Sequence, residues 1–198
     1  MKFFETSKYF QLNKPTYINL RWIAIIGQLF TINLVAFFFR FDFNFLLSNF
    51  IILIGIFLNF YLMYFYKENY LTNKFSFFFL NIDIFQLSLL IYLTGGITNP
   101  FIVFIIIPCI FSSTNLDIKA NLLLVFITIS SIIFLTFFHK NLPGDLSLHF
   151  HVSDYYYYSV PLALSVALIF LNYFGLKFGS EAKIRKEALN KMEEMIAK

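Results

Sequence analysis

Long apolar stretches separated by short polar breaks fill most of the chain, and their spacing predicts an all-α, polytopic membrane helix bundle. A helix needs about 20 apolar residues to cross roughly 30 Å of hydrocarbon. Stretches of that order, bounded by charges, Gly, Pro or Asn, run from Tyr17 to Phe39, Asn44 to Tyr66, Phe75 to Thr94, Ile118 to Phe138 and Tyr155 to Phe178. Another, Phe101 to Leu116, is shorter, reaching only about 24 Å as an α-helix. Pro108 interrupts its middle. It reads as the fourth crossing, with a tilted or re-entrant path as the alternative, so the pattern predicts about six transmembrane helices.

Beyond Phe178 the character changes to Ser180, Glu181, Lys183, Arg185, Lys186, Glu187, Lys191, Glu193 and Glu194, among strong helix formers. Ala182, Leu189 and Ile196 recur at heptad spacing, with Met192 complementary and Arg185 interrupting. Residues 1–178 therefore read as a transmembrane sensor domain. Residues 179–198 read either as a solvated membrane-proximal helix or as a cytoplasmic signalling helix, the start of a parallel coiled coil. The chain stops mid-pattern at Lys198, and the expectation is that a linker and a further domain follow.

Composition removes several function classes. Hydrophobic residues make up 59% of the chain and charged residues 13%, with a mean hydropathy of +0.73, more apolar surface than a soluble core of this length can use. The first apolar stretch follows Lys2, Lys8, Lys14 and Arg21 but stays apolar to Phe39 without a small-residue cleavage pattern, so it reads as a retained span. A lone cysteine, Cys109, excludes an internal disulfide framework, and its apolar setting makes it a small filler. The net charge of +4 is informative through its placement rather than as a sign of nucleic-acid binding, which is not expected. With a cytoplasmic amino terminus, 13 of the 15 basic residues fall inside, and only Arg40 and Lys140 fall outside. Both termini are therefore expected in the cytoplasm.

Candidate chemistry is sparse. Asp83 is the ionisable side chain in the middle of a predicted span, where it costs about 2.5 to 3.5 kcal/mol. At 100° per residue, Gln86, Leu87, Leu90 and Thr94 lie within about 60° of it, forming a stripe that leads to Gly95. Asp83 with Gln86 and Thr94 thus forms either a proton-linked site near a buried ligand or a polar helix-packing contact, with Gln86 or an Asn of another span as partner. Between the third and fourth spans, Gly95-Gly96-Ile97-Thr98-Asn99-Pro100-Phe101 can end one helix and start the next. The same loop offers uncovered backbone N–H groups, polar side chains and a flat ring, the parts needed to hold a planar carbonyl compound.

Thr94 to Phe101 resembles the Gly-Gly-x-x-Asn-Pro-Phe motif of the RegB/PrrB/ActS-type sensor histidine kinases. Leu20-Arg21-Trp22 with Gly27-Gln28 is similar to that family's first span. Asp83, Gln86 and Leu93-Thr94 are similar to its third, and Pro108 with Ser112 to its fourth. The resemblance implies a six-span redox-sensing input domain that binds ubiquinone or another quinone at Gly95, Gly96, Asn99, Pro100 and Phe101. Asn99 would donate to a quinone carbonyl and Phe101 would stack on the ring. It further implies a homodimer in the bacterial inner membrane, in contact with lipid, with ATP and a response regulator engaged only through a kinase domain. The family's phosphoacceptor His box, redox-active cytoplasmic Cys and ATP-binding motifs do not occur in these residues. His139, His149 and His151 flank a predicted outer loop and do not replace them. His149 and His151, with Asp145 and Asp154 nearby, make a poor metal site, so no metal and no catalytic residue is expected. A small transporter or channel subunit, with Asp83 and Gln86 lining a polar path, is the competing class. An intramembrane enzyme lacks its motifs.

The charge asymmetry predicts that alkaline phosphatase fused after Arg40 or Lys140 is active in a bacterial host, whereas fusions after Lys74, Lys119 or Lys177 are inactive. The opposite pattern would reverse the topology.

Overall fold

Two short polar stretches fix where the first and third apolar helices begin. In the computed structural model, which describes residues 12–38, 40–140 and 153–196, Leu12–Asn13 (β1) pairs antiparallel with Tyr70–Leu71 (β2), Leu12 opposite Leu71. Helix α1 (Lys14–Phe37) then starts at Asn13, whose side chain accepts from the Thr16 N–H at 3.1 Å, with Pro15 in the first turn. Helix α2 (Phe45–Phe65) is capped in the same way by Asn44 at 3.2 Å. Helix α3 (Asn73–Leu93) ends at Gly95 and Gly96, with φ of 115° and 57°. Helix α5 (Ile118–Phe137) starts from the Asp117 side chain, and α6 (Asp154–Ile196) runs 43 residues.

Five helices are long and apolar enough to cross a membrane. The segment expected as the fourth crossing is built differently: a 3₁₀ stretch over Pro100–Ile106 runs into a nine-residue helix, α4 (Ile107–Asn115). At about 2.0 Å per 3₁₀ residue and 1.5 Å per α residue it extends to about 28 Å, more than the α-helical expectation. Both of its ends are tied to α3. Asn99 bonds Thr94 at one end, and the Asp117 N–H donates to Asn73 Oδ1 at 3.1 Å at the other. It therefore crosses the full depth of α3 rather than re-entering. Pro108 stands near the middle of this segment, in the first turn of α4, where the helix changes from 3₁₀ to α.

The helices bury polar side chains against one another and leave phenylalanine outward. Phe30, Phe57, Phe85, Phe126 and Phe137 are each about two-thirds exposed, as suits a chain whose solvent is hydrocarbon. Helix α6 packs most extensively on α4. Gly175 and Gly179 make that crossing possible: a Cβ on Gly175 would collide with Ser113 Oγ, and one on Gly179 would lie 3.3 Å from Thr114 Cα. One turn before this crossing, Asn172 and Asn121 exchange amide bonds at 2.9 and 3.1 Å, and Asn172 also donates to the Cys109 carbonyl at 3.3 Å. Cys109 is buried 3.0 Å from Thr128 Oγ1, in keeping with its reading as a filler. No helix break marks Phe178; the change there is one of composition alone.

Replacing Gly175 by Leu should force α6 away from α4 and cost about 1 to 3 kcal/mol, measured as a lowered unfolding midpoint in detergent. An unchanged midpoint would remove the close crossing.

Candidate functional site

Asn99 organises the loop between α3 and the fourth crossing. Its Nδ2 donates to the Thr94 carbonyl at 3.1 Å and to Thr94 Oγ1 at 2.6 Å, and its Oδ1 accepts from the Phe101 N–H at 2.9 Å. One buried amide thus closes the end of α3 and opens the 3₁₀ stretch. Gly95 and Gly96 are needed for their positive φ, and Gly96 also for space: a Cβ there would overlap the His139 side chain and approach the Leu135 carbonyl at 2.7 Å. His139 in turn stacks on Tyr157 at 6.2 Å, and the Lys140 N–H donates to the Tyr92 carbonyl at 2.9 Å. The glycine pair is packed inward under the end of α5. Pro100 and Phe101 face outward, with the Phe101 ring 40% exposed and stacked on Phe104 at 5.9 Å. The motif residues therefore divide: Gly95, Gly96, Thr94 and Asn99 build a rigid turn, and Phe101 presents an aromatic face beside it.

A second polar site lies deeper, between α1, α2 and α3. Asp83 does not pair with Gln86 or with an Asn of another span, as the sequence suggests. Its Oδ1 accepts from Arg21 Nε at 2.9 Å, and its Oδ2 accepts from the Tyr17 hydroxyl. Arg21, counted in the sequence among the basic residues before the first span, is 5% exposed inside α1. Its guanidinium lies 5.7 Å from the Tyr17 ring centroid and 5.5 Å from that of Phe79. Two turns along α1, Gln28 Oε1 accepts from Gln86 Nε2 at 3.1 Å. Gly55 of α2 makes room for that amide, since a Cβ would lie 2.5 Å from Gln86 Oε1.

The stripe of Asp83, Gln86 and Thr94 thus has a partner at every polar position: Arg21, Gln28 and Asn99. Arg21 and Gln28 sit seven residues apart, as do two positions on one helix face, and this spacing was the available sign that they line up with Asp83 and Gln86. Asn59, four residues after Gly55 on α2, donates to the Ile18 carbonyl at 3.4 Å. The charges of Arg21 and Asp83 offset each other in a low dielectric, and removing one strands the other. His149, His151 and Asp145 lie outside the described residues, and among the described residues no group of three or more metal-ligating side chains occurs.

Arg21→Met should cost about 3 to 5 kcal/mol of bundle stability by stranding Asp83, and adding Asp83→Leu should recover part of the loss. A thermal-unfolding double-mutant cycle in detergent checks this; additive losses would mean that the pair is not coupled.

No family model and no solved structure matches the chain. The chain is similar to the sensor histidine kinase RegB of Cereibacter sphaeroides, with 27% identity over 175 residues, covering 88% of this chain. It spans 38% of the length of that relative. Four residues that carry the resemblance in sequence, Arg21, Gln28, Asp83 and Gln86, meet in space as two bonded pairs. A bundle of long apolar helices, the interior polar pairs and a match along most of the chain agree on one resemblance: this is a multi-pass membrane protein similar to the RegB-type sensor histidine kinases.

Proposed function

We propose that the chain is the membrane-embedded signal-input domain of a two-component sensor histidine kinase and that it reads the redox state of the quinone pool. The observation that carries this reading is a continuous path through the fold. The Gly95–Phe101 loop is capped by Asn99 onto the fourth crossing, that crossing packs on α6 at Gly175 and Gly179, and α6 continues without a break to Ile196. A ring bound against Phe101 beside the glycine turn would act directly on the 3₁₀ stretch that begins at Pro100. Converting those seven residues from 3₁₀ to α would shorten the crossing by about 3.5 Å. That displacement is delivered at the α4–α6 contact, where α6 leaves the bundle.

A ligand shifts such an equilibrium only by its differential affinity for the two arrangements, and about 1 to 3 kcal/mol is a typical coupling. Because the Asn99 amide is committed to Thr94 and Phe101, its part is to hold the loop. A bond from Asn99 to a quinone carbonyl would require release from Thr94. The setting is a bacterial inner membrane with both termini cytoplasmic and α6 pairing with a second copy. ATP and a response regulator are handled by a kinase domain beyond these residues. For a transporter or channel subunit, the side chains that would line a path are bonded to one another, Asp83 to Arg21 and Gln86 to Gln28.

Titrating the chain in lipid nanodiscs with a short-tail ubiquinone should give saturable binding that Phe101→Ala weakens by about tenfold. Fused to a histidine kinase's cytoplasmic part, the chain should make autophosphorylation depend on whether the quinone is oxidised or reduced. A folded wild type that binds no quinone would overturn the redox reading.

A further inference from the structure

Two side chains inside the α1–α2–α3 unit have bonding capacity left over. The Arg21 guanidinium bonds Asp83 through Nε, but its two Nη atoms are buried and have no partner among the described residues. Asn59, fully buried on α2, donates to the Ile18 carbonyl at 3.4 Å, while its Oδ1 is buried and likewise unpartnered. One residue thus holds unmatched donors and the other an unmatched acceptor. Buried polar groups of this kind are costly to leave unmatched, and these two are complementary.

The packing of the three helices puts them at one level. Pairing of β1 with β2 starts α1 and α3 at the same end of the bundle. Lys14, at the start of α1, donates to the Met63 carbonyl near the end of α2 at 3.2 Å, so α2 runs the opposite way. Gly55 of α2 lies against Gln86 of α3, which bonds Gln28 of α1. Four residues on along α2, about 6 Å, comes Asn59; three residues back along α3, about 4.5 Å in the same direction, comes Asp83. Asn59 therefore stands at the level of the ion pair, and its bond to the Ile18 carbonyl sets it against the turn of α1 that carries Arg21.

We infer that Arg21 and Asn59 form a latch between α1 and α2, open in this arrangement and closed in a second one, in which an Nη of Arg21 donates to Asn59 Oδ1. Nε keeps its bond to Asp83, so the closed guanidinium joins α1, α2 and α3 at one point. Closure turns the Asn59 amide away from its long bond to Ile18 and draws α2 toward α1. The new acceptor is a neutral amide, so the charge balance of Arg21 and Asp83 is unchanged. Gly55 is one turn away, and the same movement presses α2 on the Gln28–Gln86 pair. The fourth crossing packs on α3, so the half of the bundle that it leans on has two settings.

The test uses the full chain in lipid nanodiscs, labelled with 15N in the arginine side chains and 13C in the asparagine side chains. Solid-state NMR of the wild type should show a dipolar contact between an arginine Nη and an asparagine Cγ, and Arg21→Lys and Asn59→Leu should each remove it. The chain has three arginines, Arg21, Arg40 and Arg185, which makes the assignment direct. A double-mutant cycle in detergent gives an independent reading. Arg21→Lys keeps the charge facing Asp83 but loses the Nη fork, so Asn59→Leu should lower the folding equilibrium about tenfold more in the wild type than in that background. A wild-type chain without the contact, or a cycle with additive losses, overturns the latch. Neither readout involves quinone, so the redox-sensor reading stands or falls separately.

Discussion

Inside hydrocarbon a polar group has only the protein to bond with, and this bundle is arranged around that constraint. Each apolar helix carries a few polar side chains, and they meet in the interior: Arg21 with Asp83, Gln28 with Gln86, Asn121 with Asn172, Thr94 with Asn99. Hydrophobic burial cannot choose the arrangement, because lipid tails are as apolar as the phenylalanine and isoleucine side chains that face them. The polar pairs select which faces turn inward. The Arg21–Asp83 pair imposes the strictest condition, since separating those charges would expose each to a medium that cannot solvate it.

Glycine then sets how closely the selected faces approach. Gly55 admits the Gln86 amide, Gly96 admits His139, and Gly175 and Gly179 admit the backbone and side chains of α4. The result is a division of the molecule. Helices α1, α2 and α3 surround the ion pair, and the fourth crossing, α5 and α6 surround the Asn121–Asn172 pair. Helix α3 and the Asn99 turn join the two halves. The 3₁₀ stretch lies in that second half, directly after the turn, in the element that touches α6.

This placement puts the Gly95–Phe101 turn at the join between the two halves. Its glycines and Asn99 are committed to holding the geometry, which leaves the stacked rings of Phe101 and Phe104 as the outward-facing part. The turn leads directly into the 3₁₀ stretch of the fourth crossing.

By itself the sequence determined the element boundaries. Uncharged length, the bounding charges, Pro and Asn, and the Gly95–Gly96 stop place the ends of the apolar helices within a few residues of where they lie. These signals are local, and local hydrogen-bond demand at a helix end is the same in any fold. The partner of Asp83 was not legible, because Arg21 stands 62 residues away and near the start of its helix reads equally well as a topology signal. Nor was the full reach of the fourth crossing, since 16 apolar residues fall short as an α-helix and only tethering at both ends of α3 draws them into the longer 3₁₀ form. Both outcomes turn on which helix faces meet, and that is decided when polar groups on different helices find partners in a medium that offers none of its own.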